Sequence, residues 1–517
     1  MSFYGPGDPG ASKGSRALGI IVRRFPDALK VRAQRQPNGV AHDDTRRVIT
    51  FAQWDEEADE IGGGLAAAGL QAGDRVFLPI SNRNAVEMAI AAMAVLRAGG
   101  IVAPVNTRLS RAEVSDYYKL LEPRFCITNA LELVAGLDFA GCWTVDEMPR
   151  DKAALPDQAS LDPNADAEIL STSGTTGKAK GVVVTHPDLL GQTTGLTRDR
   201  NTGTLHALPF TGSGGNLGTM TAPIRGGATT YTQPQFDPKG FCELVEVKRP
   251  QTIYLVPSML RLILDLPNVA DYDFSSVKHL LTGTAPLPHD SVVRAMELWR
   301  HIRLRNSYGM SEGGIGVSTR ADEVKKPGCV GKLPSHMQIR DEDGAVVRQT
   351  GVVGEIYGRQ PNPRRYWNDP EATAQGWVDG WTKTGDLGYV DEDGDLIICG
   401  RSKELIIRGG YNITPLEIET VLHNHPAVKD AAVLGVPHEV LGEDIAAAIV
   451  VRPGAAASAD ELQAWCRERL ADNKTPRTIV FLDSFPFNAN GKVVKRELQP
   501  LLAQAAVERR NRAHASE

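Results

Sequence analysis

The stretch from Arg75 to Val105 limits the possible architecture more than any other. It reads RVFLPI, then a helical segment from Asn84 to Ala98, then IVAPV. Val86, Ile90, Met93 and Leu96 give that segment an apolar face, and Gly99-Gly100 supplies a stop. Strand, helix and strand in this order predict a crossover unit, hence parallel strands with helices packed on them. The pattern returns with a strand at His279–Thr282, a helix at Asp290–Trp299 and a strand at Ile302–Tyr308. From about Gly331 to Gly400 the texture changes. Asp343-Gly344, Asp379-Gly380 and Asp393-Gly394 separate short β-rich runs, which predicts hairpins or a small barrel. Beyond Arg401 a third texture begins, with a helix at Pro415–His423 and strands at 430–436 and Ile445–Val451. There Ser458-x-x-Glu461 is a capping box opening a helix to Leu470.

A chain of 517 residues asks for more than one folded unit. The fold class expected is α/β: a large N-terminal body, 1–400, with mixed or parallel sheets and a small β-barrel-like part at about 331–400. A smaller, mobile α+β domain, 401–517, follows. Hydrophobic content of 42% with 23% charged residues can build large cores, which excludes a disordered or fibrous chain. Lys and Arg number 57 against 63 Asp and Glu, a net charge of −6, without the basic bias of a nucleic-acid binder. The cysteines, Cys126, Cys142, Cys242, Cys329, Cys399 and Cys466, show no CxxC and no close pair. They read as reduced, buried thiols of a cytoplasmic protein, not a zinc site or disulfide framework. Met1 to Arg16 lacks the apolar core of a signal peptide, and Ala89 to Val105 is broken by Arg97 and the glycine pair. A soluble protein without a membrane span is expected.

The densest chemical signal is Ser171-Thr-Ser-Gly-Thr-Thr-Gly-Lys-Ala-Lys-Gly181, between apolar strand-like runs. Glycines admit close approach of backbone N–H groups, hydroxyls donate, and lysines offset negative charge, so the loop reads as a phosphate cradle. It is not a P-loop of the GxxxxGK type, because only two residues separate Gly174 from Gly177. Gly309-Met-Ser-Glu-Gly313 fits a nucleophile elbow on paper, but the glycines after it are poor helix material. Asp391-x-Asp393-Gly-Asp395 has its glycine misplaced for a calcium loop and reads as a hairpin turn.

The loop at 171–181 resembles the TSGTTGxPKG motif of the adenylate-forming superfamily, with Ala179 where proline is usual. Four further segments resemble that family in order. They are Tyr308-Gly-Met-Ser-Glu312, Thr384-Gly-Asp-Leu387, the hinge-like run Gly400 to Asn412, and Asn490-Gly-Lys492. The resemblance covers about residues 40 to 500 and points to the acyl-CoA synthetase branch.

An acid attacking ATP brings a carboxylate toward several phosphate charges. Each like-charge pair at ~4 Å costs about 4 kcal/mol at an effective dielectric near 20, so positive charge and fixed donors are required. The resemblance implies that Thr172, Ser173, Gly174, Thr175, Thr176, Gly177 and Lys180 hold phosphates, that Ser311 contacts phosphate and that Glu312 ligates Mg²⁺. It implies that Ser307, Tyr308 and Gly309, with Gly283, Thr284, Ala285 and Pro286, enclose the adenine, and that Asp386 accepts from the ribose. Lys492 and Arg401 join Glu312 as the catalytic set, with Lys492 bridging carboxylate and α-phosphate. Phe210, Thr211, Gly212, Ser213, Gly214, Gly283 and Gly309 line the acyl pocket. Arg408, Gly409, Gly410, Tyr411 and Arg477 face the thiol, and Lys403 is the hinge.

The activity implied is an AMP-forming ligase using ATP, Mg²⁺ and coenzyme A: acid to acyl-AMP and pyrophosphate, then acyl transfer to the thiol. Small residues at 211–214 suggest a bulky or long apolar acid (aryl, polycyclic or medium-chain). Asn473 and Leu441 stand where some CoA ligases carry aromatics, which keeps open an acyl-carrier protein as acceptor. A non-catalytic nucleotide-binding protein is the alternative from another class. Expected partners are the acid and CoA, with a homodimer allowed.

Overall fold

A computed structural model describes residues 21–173, 179–191, 202–313, 317–320, 326, 328–360, 364–487 and 493–514. The chain falls into two compact units. One comprises Met1–Thr284, Arg294–Ala321 and Arg359–Thr382; the other comprises Ala285–Val293, Asp322–Gly358 and Lys383–Glu517.

The first unit holds two mixed sheets. In the seven-stranded sheet, Arg75–Leu78 lies between Ile101–Pro104 and Phe125–Thr128, all parallel, and Gly141–Thr144 continues the parallel set at one edge. Ile101–Pro104 pairs in parallel with Asp166–Ser173, which turns back antiparallel into Ala179–Thr185. In the eight-stranded sheet His279–Gly283 and Arg303–Tyr308 are parallel neighbours, as the crossover pattern predicts, and both edges are closed by antiparallel strands.

The helix Ala85–Arg97 is buried all round, not along one apolar face. An all-buried helix needs its charges matched inside. Arg97 meets Asp59 at 2.5 Å and Asp55 from Phe51–Ala67, and Glu87 meets Arg46 and Arg47. Those partners lie 38 to 42 residues away in the chain, beyond any local pattern.

The second unit has a β-rich sheet and an α+β part. Cys329–Lys332, Asp395–Arg401, Trp381–Val390, Gly354–Gly358 and Met337–Arg340 follow one another in the first sheet. The Asp391–Asp395 turn is a hairpin: Asp391 Oδ1 accepts from the amides of Asp393 and Asp395, both at 3.0 Å. Lys326 and Lys332 neutralise its carboxylates at 2.8 and 2.9 Å.

After Ser402–Glu404, a second sheet is built on the long hairpin Val428–His438 and Gly442–Val451. Alternate residues of the first strand enter two cores. Ala431 and Val433 pack with Ile418, Leu422 and Leu462, whereas Ala432 and Leu434 pack with Leu498 and Leu502. The capping box forms as predicted, Ser458 Oγ accepting from Glu461 N at 3.1 Å, but the helix ends at Arg467 rather than Leu470.

Folding sets two of the cysteines side by side and leaves one of them exposed, against the expectation of buried thiols. Cys126 and Cys142 are direct partners across adjacent parallel strands, one buried and the other exposed. The stacked rings of Phe125 and Trp143, 5.8 Å apart, pin that register. Among the described residues, no helix is long and apolar enough to cross a membrane.

Candidate active site

In the first unit, Thr172 and Lys180 are cross-strand partners that bring the two ends of the candidate phosphate loop together. Gly174, Thr175, Thr176 and Gly177 lie outside the described residues, as do the side chains of Ser173 and Ser213. Lys180 Nζ lies 4.5 Å from the centre of the Tyr366 ring, and Tyr366 Oη donates to Glu312 Oε1 at 3.3 Å. One phenol thus spans from the loop lysine to the candidate metal ligand. Its half-buried setting and the Glu312 charge raise its ionisation above the usual phenol range, so it remains a donor at neutral pH. Arg364, almost fully buried, donates from Nη1 to the backbone carbonyl of Ser311. Its Nε has no partner among the described residues. The same unit brings Gly283 beside Ser307. A Cβ on Gly283 would sit 2.5 Å from the Ser307 carbonyl, so this close approach requires glycine. Thr284 follows with φ of 69°, a left-handed backbone that bends the chain immediately after the strand.

The candidate acyl segment runs from Leu208 through the turn Ser213–Asn216 into a π-helical turn, Leu217–Thr221. Such turns are concentrated at functional sites. Phe210 and Thr211 are buried, and Thr211 Oγ1 has no partner among the described residues. The glycines divide into two kinds. A Cβ on Gly215 would lie 2.0 Å from the Pro209 carbonyl and one on Gly214 2.9 Å from Tyr254 Oη, so these two serve close packing. At Gly212 the nearest atom to a Cβ is 3.8 Å away, which leaves room.

In the second unit, Asp386 and Arg401 are register partners on adjacent strands, with Arg401 Nε 3.4 Å from Asp386 Oδ1. Thr384 fixes the turn before Asp386: its Oγ1 donates to the Ile356 carbonyl at 2.7 Å and accepts from Asp386 N at 3.0 Å. Lys403 lies exposed in the 3₁₀ turn Ser402–Glu404 between the two sheets. Arg408 is not presented to solvent. Its Nε donates to the buried Asp444 at 2.8 Å and its Nη1 to the Asn473 carbonyl at 3.0 Å. That brace anchors the Gly409-Gly410 turn, where Gly409 N donates to the Leu441 carbonyl at 2.8 Å. Tyr411 and Arg477 are exposed. Lys492 lies outside the described residues. Ala285 and Pro286 belong to the second unit, whereas Gly283, Thr284, Ser307, Tyr308 and Gly309 belong to the first.

Reading the sequence alone missed Tyr366, Arg364 and Glu168. Glu168 is fully buried in the strand Asp166–Ser173, and Asn216 Nδ2 donates to both of its oxygens at 3.0 Å. Burial draws its carboxyl up to about 7, against the opposing pull of the Asn216 hydrogen bond and the Arg364 charge. A single acid within the apolar run AEIL was the available signal.

The family described as AMP-binding enzyme matches residues 29–367, and its C-terminal domain family matches 417–492. The 2-succinylbenzoate–CoA ligase of Geobacillus kaustophilus is 35% identical, over 92% of this chain and 98% of that protein. The long-chain-fatty-acid–CoA ligase FadD13 of Mycobacterium tuberculosis is 31% identical, over 87% and 92%. The structure of O-succinylbenzoate coenzyme A synthetase from Bacillus subtilis in complex with AMP aligns with a TM-score of 0.81 at 28% identity, covering 91% of this chain and 97% of that one. With motifs, fold and similarity in agreement along nearly its whole length, the chain belongs to the AMP-binding, adenylate-forming enzymes, in their acid–CoA ligase branch.

Proposed function

We propose that the protein joins a bulky or long apolar carboxylic acid to coenzyme A in two steps through an acyl-adenylate. The observation that carries this reading is the Lys180–Tyr366–Glu312 array beside the phosphate loop, which sets a cation over the ring and a carboxylate at the hydroxyl of one phenol. That arrangement suits a polyphosphate accompanied by a hard cation. Glu312 is half-buried and held at one oxygen by Tyr366, an oxygen donor fit for Mg²⁺. When bound, the ion offsets charge on the phosphates.

In the first step a carboxylate oxygen of the acid bonds to the α-phosphorus of ATP and pyrophosphate leaves. Lys492 offsets charge between the two anions, the loop from Thr172 to Lys180 holds the phosphates, and Asp386 accepts from the ribose hydroxyls. Arg401 aims Asp386, its Nε lying 3.4 Å from the carboxylate. In the second step the thiol sulfur bonds to the acyl carbon and AMP leaves. The domain from 401 onward moves at Lys403 between the steps, withdrawing Lys492 and bringing in Gly409-Gly410. Enclosing the mixed anhydride in this way protects it from water.

Room at Gly212, together with relatives named for 2-succinylbenzoate and long-chain fatty acids, supports an acid larger than acetate. Asn473 and Leu441, standing where some CoA ligases carry aromatics, leave room for carrier-protein pantetheine as the second reading of the acceptor. The test is mass spectrometry of products from ATP, Mg²⁺, CoA and acids running from acetate to polycyclic carboxylates. Acyl-CoA from large acids is expected. Turnover of acetate alone overturns the size reading, and acyl-AMP without acyl-CoA overturns CoA as acceptor.

A further inference from the structure

Glu168 is out of place in its surroundings. Ala167, Ile169 and Leu170 on the same strand are core residues, and no cation forms an ion pair with Glu168 among the described residues. Burying a carboxyl without a full set of partners costs several kcal/mol, and an apolar side chain of similar volume would pack there without that cost. What the acid gains is Asn216, whose amide reaches both oxygens. The two residues belong to segments 48 positions apart that serve different substrates in the proposed reaction. Four residues beyond Glu168, the strand reaches Thr172 and the phosphate loop. Four residues before Asn216 is Gly212, whose carbonyl accepts from Asn216 N at 2.9 Å, so the amide side chain and the acyl segment move as one. Arg364 lies close enough for its charge to act on Glu168, and it holds the Ser311 carbonyl of a third segment.

We propose that Glu168, acting through Asn216, is a positioning residue that fixes the acyl segment against the strand leading into the phosphate loop. It thereby aims the acid's carboxylate at the α-phosphate. The inference rests on the ligase reading above. Holding two reactants in line is worth much of such a barrier, and a displacement near 1 Å reduces turnover by roughly 10²-fold.

The test uses acid-dependent exchange of pyrophosphate into ATP by the full chain, with Glu168→Gln, Glu168→Leu, Asn216→Ala and the Leu/Ala double variant. Glu168→Leu and Asn216→Ala each lower kcat/KM for the acid on the order of tenfold or more, while the KM for ATP stays within about twofold. Glu168→Gln, which retains one acceptor for Asn216, recovers part of the loss. The double variant is no worse than the worse single, because the pair acts as a unit. Losses shared equally between acid and ATP, losses that add in the double variant, or unchanged kinetics in a folded Glu168→Leu protein each overturn the proposal. Wild-type protein that exchanges pyrophosphate with no acid in the panel overturns the ligase reading instead, and AMP titration of each variant identifies any that has lost its fold.

Discussion

Acidification from pH 7 to pH 5 tests how the first unit is built. His42, His186 and His206 are at most 2% exposed. Burial holds their pKa values at about 3, about 3 and about 4, helped by the charge of His206 on His42 and of Arg24 on His186. In the unfolded chain each imidazole titrates at its ordinary 6.5. The unfolded state therefore takes up protons first as the pH falls, and stability present above pH 6.5 is lost toward pH 4. At pH 5 each histidine lies about 1.5 units below its unfolded pKa, worth about 2 kcal/mol, or about 6 kcal/mol for the three. Glu168 opposes this. Its raised carboxyl prefers the proton in the folded state, so the same acidification returns about 2 kcal/mol. The net loss is about 4 kcal/mol, a shift of roughly 1 M in a urea midpoint. Trp54, fully buried and edge-on to His42 at 4.6 Å, provides a fluorescence signal for this unit. His42→Leu should remove about 2 kcal/mol of the pH dependence, because neither ring nitrogen has a partner to lose among the described residues. Equal midpoints at pH 7 and pH 5, or an unchanged difference in His42→Leu, would refute the reasoning.

Three further outcomes are expected. Asp386→Ala raises the KM for ATP on the order of tenfold by removing the ribose acceptor, with little change for the acid; steady-state kinetics with each substrate varied would show it. Asp444→Asn leaves Arg408 buried without its counter-charge, destabilising the second unit by about 3 kcal/mol and slowing thioester formation while adenylate formation continues. Rapid-quench analysis separates the two steps, and equal slowing of both would count against the brace. Cys142, exposed and with its thiol drawn down to about 7 by the Cys126 hydrogen bond, alkylates before the other cysteines. Cys126→Ala slows that reaction on the order of tenfold, and peptide mapping with iodoacetamide reads both effects.

Local patterns were legible where one segment decides its own structure. The strand–helix–strand unit, the Pro415–His423 helix and the Ser458 capping box all depend on residues within a few positions of one another. What escaped the sequence depends on partners brought from afar. The helix Ala85–Arg97 looks one-sided until Asp55, Asp59 and Arg46 arrive to match its charges. Cys126 and Cys142 are 16 positions apart and meet only because two parallel strands align. Tyr366 shows no chemistry in its own neighbourhood; its pairing with Val182 sets it between Lys180 and Glu312. The candidate site was legible as motifs, each local, whereas the bracing by Tyr366, Arg364, Glu168 and Asp444 is tertiary. The glycine at 214 shows the converse error, since a sequence cannot separate glycine that leaves space from glycine that fills it.

The central claim is a ligase that passes through an adenylate. It is tested most directly by a single-turnover experiment with a large apolar acid, ATP and Mg²⁺, first without CoA and then with CoA added. The account predicts acyl-AMP and pyrophosphate in the first phase, conversion to acyl-CoA and AMP in the second, and loss of the first phase in Lys492→Ala. Release of ADP and phosphate, or nucleotide cleavage that proceeds without any acid, would contradict it.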